Sequence, residues 1–184
     1  MGMIFDIIEI KICIMQIYSS SLVILIVVLS FTSCTKSSKK PYILPDNAIS
    51  LLAGETGKTW KLAWRYNNGT RMNMRGCFLS YRATYSPDMM FRDNNGDHQD
   101  CGLTLLGNWE ITKDKKGNPY IKLTSDQLPD IMHIDKNYKF FKILKLDKDT
   151  LRIQFRHKQF SSKSTFVDTF VSEHIKIEDR DFHW

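Results

Sequence analysis

Apolar and polar residues follow different periods in different parts of the chain, and the changes mark its organisation. Leu22 to Leu29 is an unbroken apolar run that ends in the small residues Thr32 and Ser33. A short apolar run with a small-residue exit has the shape of a secretory leader. A membrane-spanning helix needs about 20 predominantly apolar residues. Extension of this run towards the N-terminus meets Ser19, Ser20, Ser21 and Gln16. After a polar stretch, Thr35 to Lys40, the chain reaches Pro41 and then Asn47 to Ala53, which reads as a short helix capped by Asp46 and stopped by Gly54.

From Trp60 onward the period is two. Trp60, Leu62, Trp64 and Tyr66 alternate with Lys61, Ala63 and Arg65, the pattern of a half-buried strand with one aromatic face. Asn67-Asn68-Gly69 is a turn signal. Further strands are expected over Phe78 to Tyr85, Met89 to Arg92, Leu103 to Ile111, Tyr120 to Thr124, Phe140 to Leu146, Leu151 to Phe155, Thr165 to Ser172 and His174 to Glu178. Asn95-Gly96 suits a type I′ hairpin turn. Asp147-Lys148-Asp149-Thr150 marks the clearest hairpin, and Pro129 interrupts an irregular stretch, Asp126 to Asn137. About eight short strands joined by hairpins, without long crossovers, predict an all-β fold: an eight-stranded antiparallel up-and-down β-barrel with a short N-terminal helix.

The leader and the cysteines set the address. Phe31-Thr32-Ser33-Cys34 resembles the lipobox read by lipoprotein signal peptidase, so residues 1–33 are expected to be removed and Cys34 to carry the lipid. Met15 is an alternative start. Residues 34–45 read as the lipidated cysteine and a flexible Ser/Lys tether, and residues 46–184 as the barrel domain. Surface-export signals in lipoproteins of Bacteroidota look acidic after the cysteine. This tether is basic, so the resemblance implies the periplasmic face of the outer membrane. Cys13 leaves with the leader and Cys34 takes lipid, which leaves Cys77 and Cys101. A pair in an oxidising compartment points to one disulfide. A metal or redox role would be expected to bring a Cys-x-x-Cys or a neighbouring histidine pair, and neither is present.

Leu52 to Leu62, with Gly57 and Trp60 at the start of the first strand, resembles the opening of the lipocalin-like domains of Bacteroidota lipoproteins. Cys77, Phe91 before Asn95-Gly96, Cys101, Gly107-Asn108-Trp109 and the hairpin around Leu151-Arg152-Ile153 extend the likeness over Asn47 to Ile177. The resemblance implies a barrel with a small helix plugging one end.

Composition changes this picture little. The chain of 184 residues carries a formal charge of +6, and loss of Asp6, Glu9 and Lys11 with the leader makes the remainder slightly more basic. The lysines are scattered along strands and turns, unlike the clustered footprint of a nucleic-acid binder. Asp93, Asn95 and Asp97 alternate like calcium ligands, but the glycine and glutamate of an EF-hand loop are out of place. The five histidines, His98, His133, His157, His174 and His183, form no metal-helix spacing. The polar knot of His98 with Asp97 and Asp100 reads as a solvated loop. Nucleophile elbows, phosphate loops and dinucleotide fingerprints are missing from the sequence, so neither a catalytic set nor a cofactor is expected.

The aromatic face of Trp60, Leu62, Trp64, Phe91, Trp109, Ile153 and Phe155 has two readings: packed core, or the lining of a pocket for one small hydrophobic ligand. The first describes a non-enzymatic lipoprotein that binds a ligand inside the barrel. The alternative is a protein-interaction module, such as a periplasmic inhibitor, immunity protein or envelope assembly accessory, with a filled interior. The interior discriminates between them.

Overall fold

The structure is a computed structural model that describes residues 40–159 and 162–181. The leader, Cys34 and the first part of the tether lie outside the described residues. Residues 40–184 form one compact unit holding the sheet, the core and the disulfide.

Nine strands are present among the described residues: β1 (Lys58–Asn67), β2 (Thr70–Arg71), β3 (Arg82–Tyr85), β4 (Met90–Asp93), β5 (Leu106–Lys113), β6 (Pro119–Thr124), β7 (Tyr138–Leu146), β8 (Thr150–Gln159) and β9 (Ser162–Ser172). The two-residue β2 is a spur on the end of β1, joined through Asn68 and Gly69, which both take positive φ as a tight hairpin turn requires. The other eight pair in order, all antiparallel, and β1 also pairs with β9. That pairing closes the barrel and removes its free edges. Alternation sends one face of each strand inward: Ile121 and Leu123 from β6, Ile143 from β7, Leu151 and Ile153 from β8, and Phe166 and Phe170 from β9 are all buried.

Helix α1 (Ala48–Ala53) plugs one end. Leu52 and Ala53 are fully buried, and the Trp60 indole N–H donates to the Leu52 carbonyl at 2.8 Å. The ammonium of Lys58 sits 4.0 Å from the Trp60 ring centroid and donates to the carbonyls of Leu51 and Lys148. One lysine thus ties the plug to the first strand and to the β7–β8 turn. Asp147 shapes that turn by accepting from the backbone N–H groups of Asp149 and Thr150. Within the segment expected to be a flexible tether, Tyr42 packs on the core, and its hydroxyl bonds both the N–H and the carbonyl of Leu146.

Five local expectations are corrected. Phe78 to Tyr85 is not one strand: α2 (Cys77–Ser80) takes its first half, and β3 starts at Arg82. Pairing of β1 with β3 ends at Lys61 opposite Arg82, so residues further back have no ladder to join and Phe78 turns onto the barrel end instead. Asn95-Gly96 forms no two-residue hairpin but a 3₁₀ turn, Asn95–Asp97, inside a longer connection. Pro129 does not interrupt structure; it sits in the first turn of α3 (Leu128–Met132), where a missing N–H costs nothing. His174 to Glu178 is no strand. The tail folds back, and Arg180 donates to the carbonyls of Leu62 and Leu79. The helix cap also differs, since Asn47 precedes α1 and makes no side-chain cap bond.

Gly107 in β5 sits close against the end of β6. A Cβ there would lie 2.5 Å from the Thr124 carbonyl oxygen and 3.0 Å from the Ser125 Cβ. Gly107→Ala should therefore force β5 and β6 apart and lower stability by about 1–3 kcal/mol; the midpoint of urea unfolding measures it.

Candidate functional site

The barrel interior is not filled. A cavity of about 320 Å³ lies between the plugged core and the opposite end. Leu62, Phe91, Leu123, Phe141 and Ile153 give it an apolar wall. Its far end is roofed by partly exposed groups: Phe78 of α2, Ile131 and Met132 of α3, and the Cys77–Cys101 disulfide. That disulfide pins α2 to the connection between β4 and β5.

The wall also carries charge, and a backbone irregularity explains why. The register of β1 against β9 shifts by one residue between Leu62 and Trp64. A β-bulge of this kind exchanges the two faces of a strand beyond it. Trp64 therefore stands opposite Thr169 on the outer face, and Arg65 turns inward opposite Asp168. The Leu62 carbonyl beside the bulge accepts from Arg180 at 2.8 Å.

Inside, Arg65 donates through Nε and Nη2 to the two oxygens of Asp168 at 2.7 and 2.6 Å. The Asp168 side chain is 3% exposed. Burial works against the Arg65 charge, but the bond and charge of Asp168 outweigh it and raise its pKa. The guanidinium lies 4.8 Å from the Phe78 ring centroid, so the pair touches the roof.

Lys139 enters from β7, opposite Leu123 and 8% exposed. Its ammonium is 3.3 Å from Nδ1 of His157 and 5.2 Å from the Phe155 ring centroid. An ammonium can only donate, so Nδ1 accepts and the imidazole proton sits on Nε2. Burial, then the charge of Arg65, depresses the Lys139 pKa to about 8. Burial and the charges of Lys139, His133 and Arg65 lower that of His157, which holds it neutral at pH 7.

Asp93 is buried at the wall, and its carboxylate accepts from the N–H groups of Leu105 and Asn95 and from the Tyr81 hydroxyl. Burial raises its pKa, and also lifts the Tyr81 hydroxyl well above its ordinary value. These bonds make Asp93 the organiser of the connecting loop. Asp97 pairs with Arg92 at 2.9 Å, and His98 bonds Asn94. Among the described residues no group of three or more His, Cys, Asp or Glu is arranged to hold a metal.

The expected lining residues divide three ways. Leu62, Phe91, Ile153 and Phe155 line the cavity. Trp60 and Trp109 are packed core outside it; the Trp109 indole donates to the Ser86 carbonyl and its ring meets Tyr85 edge-on. Trp64 is the correction: the bulge puts it on the outside. Sequence reading missed Arg65, Lys139, His157 and Asp168. Asp168 lies between Phe166 and Phe170 in an alternating strand, and Lys139 is two residues before Phe141, so period two was a signal for both.

With this geometry in place, comparison with known proteins adds the family. The lipocalin-like domain model matches residues 56–153. The chain belongs to the lipocalin-like domain family. No curated protein and no solved structure matches it. The match runs from just before β1 into β8, and the closed antiparallel barrel of eight strands agrees with it. Lipocalin-like domains are generally binding proteins rather than enzymes.

Two stability measurements check the site. Asp168→Asn should cost about 3 kcal/mol, because Arg65 would be left buried without its counter-charge. Lys139→Met should stabilise the fold at neutral pH by on the order of 2 kcal/mol. Lys139 titrates near 8 when folded and near its ordinary 10.5 when unfolded. Between those values the unfolded chain binds the extra proton, so wild-type stability rises with pH. Below 8 the full cost of the buried charge is present. The advantage of Lys139→Met should accordingly hold at pH 7 and fade between pH 8 and 10.5 in urea titrations.

Proposed function

We propose that this protein is a lipid-anchored, non-enzymatic binding protein that holds one small hydrophobic ligand inside its barrel. The observation that carries the reading is the cavity of about 320 Å³ in a closed, plugged barrel. That volume is at the lower end of ligand pockets, and a mostly apolar wall with a few placed polar groups is their usual character. Support for the anchor comes from the sequence: the apolar run, the lipobox-like Phe31-Thr32-Ser33-Cys34 and the basic tether favour lipid on Cys34 and the periplasmic face of the outer membrane.

A second reading, docking of a protein partner, draws on the outer face of β6 and β7. Phe140 is 44% exposed and meets Tyr120 and Tyr138 edge-on, with Lys122 and Lys136 near the Tyr138 ring. An aromatic cluster rimmed by lysines is the kind of surface that binds proteins.

The cavity decides between them. Ala83 lines it and is 2% exposed. Ala83→Phe should fill part of the space and weaken binding of an apolar fluorescent probe at least tenfold, with a melting curve showing that the barrel persists. Phe140→Ser should leave probe binding unchanged. Equal binding by wild type and Ala83→Phe would place the probe outside the cavity and favour the partner reading.

A further inference from the structure

Basic residues that are scattered along the sequence from Lys142 to Lys163 are gathered by the barrel onto one outer face. Register sets Lys145 of β7 opposite Arg152 of β8, and Lys158 of β8 opposite Lys163 of β9. Ile143, Ile153, Phe155 and Phe166 between them are buried, so alternation turns Lys142, Lys145, Arg152, Arg156, Lys158 and Lys163 outward. The single carboxylate in these three strands, Asp168, is buried and held by Arg65. Lys145 pairs with Asp147 of the adjoining turn at 2.8 Å. The other five cations form no ion pair among the described residues. Like charges directly opposite each other on neighbouring strands destabilise a sheet. Two such pairs, Lys145 with Arg152 and Lys158 with Lys163, therefore carry a cost that nothing within the barrel offsets.

An anion outside the barrel would offset it, and the place where the chain enters the fold indicates which. Tyr42 bonds the backbone of Leu146, next to Lys145, at one end of this face. From Cys34, the expected lipid attachment, to Tyr42 the chain can span at most about 28 Å. The ten residues of β8 extend about 33 Å, so the lipid attachment and the basic face belong to the same neighbourhood. Lys36, Lys39 and Lys40 add further positive charge to the intervening segment. Phe140, 44% exposed on the outside of β7, borders the face together with Tyr138. Aromatic rings among cations suit the headgroup boundary of a bilayer. A barrel exterior is convex, whereas single-stranded nucleic acid is held in grooves that follow its backbone.

We propose that the outer face of β7, β8 and β9 seats the barrel on an anionic phospholipid surface, where Arg152, Arg156, Lys158 and Lys163 meet lipid phosphates. The proposal rests on the lipid-anchor part of the function proposed above and gives the anchored domain an orientation. The β7–β9 side lies against the headgroups, and the opposite side, with β3 and β4, is left facing the aqueous phase.

The test uses the 40–184 fragment, which contains the complete barrel and carries no lipid, in co-sedimentation with vesicles at pH 7 and about 0.1 M salt. One set of vesicles is phosphatidylcholine alone, and the other contains about 30% phosphatidylglycerol. The expected result is at least tenfold tighter binding to the anionic set, lost at about 0.5 M salt. Each cation near such a surface contributes about fivefold, so Arg152→Gln with Arg156→Gln should weaken binding about 25-fold. Both side chains are exposed, and an unchanged melting curve shows that the barrel persists. Lys115→Gln with Lys116→Gln removes the same charge from the β5–β6 turn and should change binding less than threefold. Equal binding to both sets of vesicles, or equal loss in the two double variants, overturns the proposed face. Tighter binding of a single-stranded DNA 20-mer than of the anionic vesicles, at matched phosphate concentration, also overturns it. The anchor is read separately, from the intact mass of the full chain purified from membranes. Lack of acylation there would overturn the anchor and leave the vesicle result to decide the face.

Discussion

The β-bulge between Leu62 and Trp64 places Arg65, not Trp64, opposite Asp168 inside the barrel, and the character of the interior follows from that exchange. Without the extra residue, β1 would present an uninterrupted aromatic face, Trp60, Leu62, Trp64 and Tyr66, to a core that already holds Phe155, Phe166 and Phe170. With it, the second half of the strand delivers a guanidinium whose only adequate partner in a low-dielectric interior is a carboxylate with matching geometry. Asp168 supplies that match with both oxygens. Next to the bulge, the tail supplies a partner for the Leu62 carbonyl through Arg180, beyond the point where the pairing of β1 with β3 ends.

The two ends of the barrel are consequently different in kind. At the plugged end, Trp60, Leu52 and Leu146 are packed to full burial, and Lys58 has carbonyl partners from two separate elements. It locks structure in place. At the roofed end, side chains leave a space, the covering elements are short, and a disulfide does the work that a larger core would otherwise do. Cross-linking α2 to the β4–β5 connection limits how far the roof can move in the unfolded or partly open chain. Lys139 belongs to this end, and its single neutral partner contrasts with the two carbonyls that hold Lys58.

Much of the fold was legible because strand period is a local signal. The alternation at Trp60–Leu62, Tyr120–Thr124 and Thr165–Ser172 and the Asp147–Thr150 turn each declare themselves within a few residues, and a meander needs no long-range pairing to be inferred. The failures are non-local. Phe78 and Leu79 look like strand residues, but β1 has already turned away and offers no partner. Asn95-Gly96 has hairpin chemistry, yet Asp93 captures the loop by binding the Leu105 and Asn95 N–H groups, and a 3₁₀ turn results. The candidate site splits along the same line. Asp168 and Lys139 were charges on faces that period two already marked as apolar. Arg65 could not be placed, because a bulge adds one residue without leaving a glycine or proline to announce it.

The central claim is that the interior, not the surface, receives the ligand, and methyl-resolved NMR during titration of the 40–184 fragment with decan-1-ol tests it most directly. Shifts of the Leu62, Leu123 and Ile153 methyl groups, with Leu52 and Leu151 at the plugged end unmoved, are the result this account expects. Shifts confined to the exposed Leu103 and Leu106, with the cavity methyl groups unchanged, would contradict it.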